Sequence, residues 1–211
     1  MEEPENKPLE HAQKKKSKGR RALLNLCYIA IFAAVITVCS YISVPVGDIP
    51  VTLQTLAICL TAGLLGWKRG TLCVLVYIFM GICGIPVFAN FKNFYALLAS
   101  PSAGYVVGFI FTALLVGFAS DNLKRLGSKA KRKGFVWAIQ FTVLLLSMAA
   151  GILVCYLFGT LWYMFIFKGS ATTENLQFAL TWCVYPYILP DLVKILLAAV
   201  LVDRLKRFVK H

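Results

Sequence analysis

The chain has 211 residues, of which 59% are hydrophobic and only 15% charged, against about 25% charged in soluble domains. That is the composition of a polytopic membrane protein: five or six crossings of about 20 residues each leave no room for a soluble catalytic or nucleotide-binding domain. The net charge of +13 argues orientation rather than nucleic-acid binding, because 19 of the 22 Lys and Arg fall in four clusters, in residues 1–21, 68–69, 124–133 and 204–210. The apolar stretches between clusters each cross an even number of times, so the positive-inside rule places all four at the cytoplasm.

Residues 1–21 (MEEPENKPLEHAQKKKSKGRR) are polar and end in a basic run, which predicts a disordered cytoplasmic tail. A signal peptide would need a short apolar region and a cleavage site after the basic part. The run over 22–44 is instead long enough to span. Within it Ala30 and Ala34 lie four apart, a small-residue face that permits close helix contact.

Pro45, Gly47 and Pro50 predict a tight outer connection, and the apolar part of the next span, 51–65, is short for a perpendicular crossing. It carries Thr52, Gln54 and Thr55 at its outer end, so this face packs inward, Gln54 either bonding to the backbone of another helix or meeting a ligand. The tip "GWKRG" turns the chain inside, and 71–83 returns it outward. The outer segment that follows, "GICGIPVFANFKNFYALLASPSAGY", is long, aromatic (Phe88, Phe91, Phe94, Tyr95, Tyr105) and carries Asn90, Lys92 and Asn93. Rings with convergent amides suit a flat, partly polar small molecule. An interfacial aromatic belt with a snorkelling lysine has the same composition.

Crossings over 102–120 and 135–158 flank the basic loop "DNLKRLGSKAKRKG", which is an ordinary cytoplasmic loop or a lipid-surface contact. The outer segment 159–180 holds "LWYMFIF", placed in the interface or over the outer mouth. The last apolar run, 181–207, sets Asp191 and Lys194 inside a span. Ionisable groups in hydrocarbon are expensive and rare, so both are functional-site candidates, and three residues apart they share a helix face. Pro186 and Pro190 predict that the regular helix starts at Pro190, its free amides beside Asp191.

The chain is thus predicted to be an all-α membrane protein, six transmembrane helices in one bundle spanning 22–208, with both termini cytoplasmic. Gln54, the segment around Phe88–Tyr105 and the Asp191/Lys194 pair then meet at one depth on the outer side, as a pocket open to the outside. The seven cysteines are scattered through apolar runs with no CxxC pair, and the two histidines stand near the ends, which predicts no metal site and cysteines that act as small hydrophobes. No catalytic residue is predicted: Asp191 and Lys194 have no histidine or second intramembrane carboxylate to work with. A solitary or ion-coupled carrier that uses the pair in its path stays open, although no inverted repeat relates the two halves.

"VPVGDIPVTLQTLAICLTAGLLGWKRG", "GICGIPVFANF", "SPSAGYVVGF" and "LPDLVKILLAAVL", in that order, resemble the BioY family of biotin transporters, the substrate-binding component of energy-coupling-factor (ECF) systems. The resemblance covers about residues 25–205. It implies a six-helix protein of the bacterial cytoplasmic membrane that binds biotin near its external face. No cofactor is implied, and ATP is used only by partners, a transmembrane coupling protein and two ATP-binding cassette ATPases; a homo-oligomer stays open. Asp191 and Lys194 resemble the family's acidic and basic pair at the ureido ring of biotin, and Ala30 and Ala34 its docking face for the coupling protein. "IPVTLQTL" and "IPVFANF" resemble the pocket walls. One departure stands out: after "PVFA" the family is glycine-rich, whereas this chain has "NFKNFYALLASPSAGY", which shrinks the pocket, closes it differently, or brings Lys92 to the biotin carboxylate.

Overall fold

The computed structural model describes residues 7–46, 49–127, 133–169 and 172–206. Gly47 of the outer connection and the basic residues Lys129, Lys131, Arg132, Arg207 and Lys210 lie outside the described residues, as do positions 1–6. The protein is an all-α, multi-spanning bundle. Helix α1 (Lys7–Tyr41) is followed by a two-stranded antiparallel ribbon, β1 (Ser43–Val46) and β2 (Ile49–Thr52), and by α2 (Gln54–Ile82). A short helix α3 (Phe94–Leu98) precedes α4 (Ala103–Gly127) and α5 (Lys133–Trp162). A π-helical turn (Tyr163–Phe167) then leads to α6 (Thr173–Cys183) and α7 (Tyr185–Leu205). Among the described residues five helices are long and apolar enough to cross a membrane: Gly19–Tyr41, Gln54–Ile82, Ala103–Leu123, Trp137–Ile166 and Tyr185–Leu205.

The second of these is bent back on itself. Gly66 has φ 80° and ψ −179°, a conformation essentially reserved for glycine. The Nε2 of Gln54 lies 2.8 Å from the Tyr77 hydroxyl, 23 residues away, where a straight helix would separate them by about 35 Å. A Cβ on Gly70 would stand 2.8 Å from the Cα of Ala62, so the two legs pack backbone to backbone below that contact. The Asp121 carboxylate of α4 fastens the turn by accepting the Trp67 N–H at 3.0 Å. The "GWKRG" turn is therefore a sharp helical hairpin.

Helix α2 packs on α1, α4 and α7, α4 on α5, and α5 on α7. Hydroxyls stitch these contacts where the backbones come close. Thr112 of α4 donates to the Gly151 carbonyl of α5 at 2.8 Å, and Ser120 to that of Gly63 at 2.6 Å. Large apolar side chains such as Phe79, Phe118 and Leu153 point away from the bundle, as they must where hydrocarbon is the solvent.

Two expectations change. Residues 7–21, expected to be a disordered tail, continue α1 as helix; this stretch is rich in Lys and Arg, which favour helix, so a formed span propagates into it. Helix α7 starts at Tyr185, not at Pro190: Pro186 sits in the first turn and Pro190 inside the helix. Pro190 removes the bond to the carbonyl of Pro186, in the opening turn, where the chain adjusts most easily. Asp191 therefore sits about 9 Å along α7, and the free amides of the helix start lie above it rather than beside it.

Candidate functional site

Three helices converge on the Asp191 carboxylate. Oδ1 accepts from Lys194 Nζ at 2.8 Å and from the Thr55 hydroxyl at 3.2 Å, and Oδ2 accepts from the Tyr156 hydroxyl at 2.6 Å. Asp191 and Lys194 are buried, 5% and 7% exposed, so the pair is shielded on most sides. An isolated charge at such a depth would be prohibitive; an ion pair with two further donors is tolerable, and it stays tolerable only while every partner is in place. A carboxylate has about four acceptor positions and an ammonium three donors. With three protein donors on Asp191 and Asp191 the one acceptor for Lys194 among the described residues, both groups keep capacity for a ligand.

The pair borders a cavity of about 690 Å³ of free space, counted with its open mouth. The ribbon strand β2 forms one wall through Ile49 to Thr52. Phe88 and Leu97 from the segment before α4 form another, and α4, α5 and the start of α7 close the remainder. Tyrosines of the lining brace these walls: Tyr105 donates to the Cys183 carbonyl at 2.7 Å, and Tyr187 donates to the carbonyl of Ile49, so the ribbon is bonded to α7. The lining is mostly apolar and aromatic with polar groups at one end, the arrangement that holds a small molecule by its shape and orients it by a few directed bonds.

Of the residues singled out in the sequence, Asp191, Lys194, Gln54, Phe88 and Tyr105 line this one cavity, although they come from four separated stretches. Gln54 also donates across the α2 hairpin to the Tyr77 hydroxyl, a side-chain partner where a backbone one was expected. Asn90, Lys92 and Asn93 are not among the lining residues. Asn93 caps α3 by accepting the Ala96 N–H at 2.9 Å, and Asn90 meets Ser43 Oγ at 3.1 Å. Lys92 is half-buried, its carbonyl accepting the Phe88 N–H at 3.1 Å. Ala30 and Ala34 are exposed on the outer side of α1, opposite its buried stripe of Ile29, Ala33, Ile36 and Ser40. Sequence reasoning passed over Tyr156, Tyr187 and Cys155. The available signal for Tyr156 was a phenol in an otherwise apolar span, which needs a partner there.

The seven cysteines are free thiols, four of them buried. Among the described residues no group of three or more His, Cys, Asp or Glu could hold a metal ion.

A family model described as "BioY family" matches residues 12–211. The chain belongs to the BioY family. It is 34% identical over 177 residues to the biotin transporter BioY of Thermotoga maritima, covering 84% of this chain and 92% of that one. It is 33% identical to a probable biotin transporter BioY of Pyrococcus horikoshii, covering 84% and 93% respectively. A crystal structure of the S-component for biotin from an ECF-type ABC transporter superposes with a TM-score of 0.70 at 26% identity, over 89% of this chain and 93% of the other. BioY proteins are multi-pass membrane transporters rather than enzymes, in keeping with the five apolar helices described above.

Proposed function

We propose that this chain is the biotin-specific S-component of an ATP-driven ECF transporter in the cytoplasmic membrane, loaded from the external face. The observation that carries the reading is the Asp191/Lys194 pair, held by Thr55 and Tyr156 at the polar end of an otherwise apolar cavity. A cyclic urea presents N–H donors beside a carbonyl acceptor. A carboxylate next to an ammonium is its complement, with charge assistance on both bonds. The thiophane ring and the acyl chain then lie along the apolar walls, and Gln54, Phe88 and Tyr105 belong to the contact set. The relatives' names and the resemblance to a biotin S-component support the same ligand.

The reversal at Gly66 supports six passes from five apolar helices, with both termini cytoplasmic in line with the basic clusters. Lys92 meets the biotin carboxylate, with Asn90 and Asn93 shaping the loop that carries it. The exposed Ala30 and Ala34 dock on a transmembrane coupling protein that works with two ABC-type ATPases, which alone use ATP. The test is binding of labelled biotin to the purified protein and to the Asp191→Asn and Lys194→Ala variants: binding by the wild type and its loss in both variants is the expected result, and tight binding unaffected by either change would refute the site.

A buried ion pair inside a span also suits a solitary or ion-coupled carrier. Uptake that persists when the coupling ATPases are deleted would decide for that carrier.

A further inference from the structure

The wall that carries Phe88 is held from outside the cavity, by the last turn of α1. Ser40 is fully buried, and its Oγ lies 2.6 Å from the Val87 carbonyl oxygen and 2.7 Å from that of Thr37. Its one proton is thus shared between its own helix and the neighbouring loop. The Val87 carbonyl also accepts from the Tyr77 hydroxyl at 3.2 Å, and that hydroxyl accepts from Gln54, which lines the cavity. One residue further on, Tyr41 donates to the Pro86 carbonyl at 2.8 Å, and its ring stacks on Phe91 at 4.3 Å. Between these anchors, the Phe88 ring packs edge-on against Tyr77 at 5.3 Å and closely over Gly81. Two residues of the loop, Asn90 and Phe91, have left-handed backbone (φ 59° and 55°), a conformation that a bulky side chain disfavours on its own. External contacts, Ser43 on Asn90 and Tyr41 on Phe91, hold it there.

Neither Ser40 nor Tyr41 is a lining residue. We propose that both are positioning residues for ligand retention: through the Val87 and Pro86 carbonyls they hold the 86–91 segment, and with it Phe88 and Gln54, in the closed cavity wall. This rests on the reading of the cavity as the biotin site. Its consequence is that α1 is tied to the occupied state. Biotin steadies the outer turn of α1, and by reciprocity whatever shifts that turn alters how tightly biotin binds.

The experiment uses the purified full-length chain in detergent micelles, with labelled biotin and the variants Ser40→Ala, Tyr41→Phe and, as a control on the exposed face of α1, Val38→Ala. The first two are expected to raise the biotin dissociation rate roughly three- to tenfold, as for loss of one directed bond each, with association rates changed less than about twofold. Amide hydrogen exchange at residues 36–41 is expected to slow when biotin binds the wild type and Val38→Ala, and to slow less in Ser40→Ala. Tyr41→Phe keeps the stacked ring and so stays informative if Ser40→Ala folds poorly. Dissociation rates unchanged in both variants, or faster rates matched by an equal loss of stability in the ligand-free protein, would overturn the inference while leaving the biotin site intact. Failure of the wild type to bind biotin at all would overturn both.

Discussion

The Tyr156 hydroxyl donates to Asp191 Oδ2 at 2.6 Å and so joins α5 to α7 at the polar end of the cavity. It leaves Oδ1 to Lys194 and Thr55, which fixes the plane of the carboxylate and the direction in which it can accept from a ligand. Tyr156→Phe keeps the ring and removes that one bond. A bond to a charged group contributes about 1.5–3 kcal/mol, so biotin affinity should fall by roughly 10- to 100-fold with the fold intact, as titration calorimetry and a thermal melt on the same preparation would show.

The ion pair separates binding from stability. Asp191→Asn leaves the Lys194 ammonium buried without its counter-ion, and should lower stability by about 3–5 kcal/mol as well as remove biotin binding. The double change Asp191→Asn with Lys194→Met has no buried charge and keeps one acceptor oxygen, for Tyr156 or Thr55, while the other hydroxyl turns to accept from the new NH2. It should recover most of the lost melting temperature and still fail to bind. Recovery of binding in the double variant would show that the pair serves packing alone.

Gly66→Ala forces a side chain onto φ 80° and drives its Cβ into the Asp121 carboxylate. The hairpin should be destabilised by roughly 2–4 kcal/mol. Adding Asp121→Ala relieves the collision but not the backbone strain, and it removes the acceptor for the Trp67 N–H. The double variant should therefore stay well below the wild type in thermal melts.

Lys92 is half-buried and not among the lining residues, so its contribution to an anionic ligand is partly screened. Lys92→Met should weaken biotin by a few-fold, about 0.2–1 kcal/mol, and leave the uncharged methyl ester of biotin unaffected. Equal weakening of acid and ester would remove the carboxylate from its role.

Asp191 and Lys194 stood out in the sequence because hydrocarbon surroundings make any ionisable side chain conspicuous, and the "GWKRG" turn because it is basic amid apolar runs. Tyr156 did not, since tyrosine is common in spans and only the approach of α5 to α7 gives its hydroxyl a carboxylate to meet. The start of α7 was misplaced because proline was read as a strict boundary, whereas within the first two turns its missing donor removes only one bond. Ser40 and Tyr41 were invisible for another reason: their partners are carbonyls some 45 residues away, and a backbone acceptor leaves no mark in a sequence.

By itself, then, the sequence determined the solvent and the ionic pair: the hydropathy of each stretch and the rarity of ionisable groups within it are local properties that burial in a bilayer acts on directly. Which groups complete the site was decided only by tertiary structure. Thr55 and Tyr156 reach Asp191 across 136 and 35 residues, and Ser40 reaches the cavity wall across 47, through helix packing that no local pattern encodes.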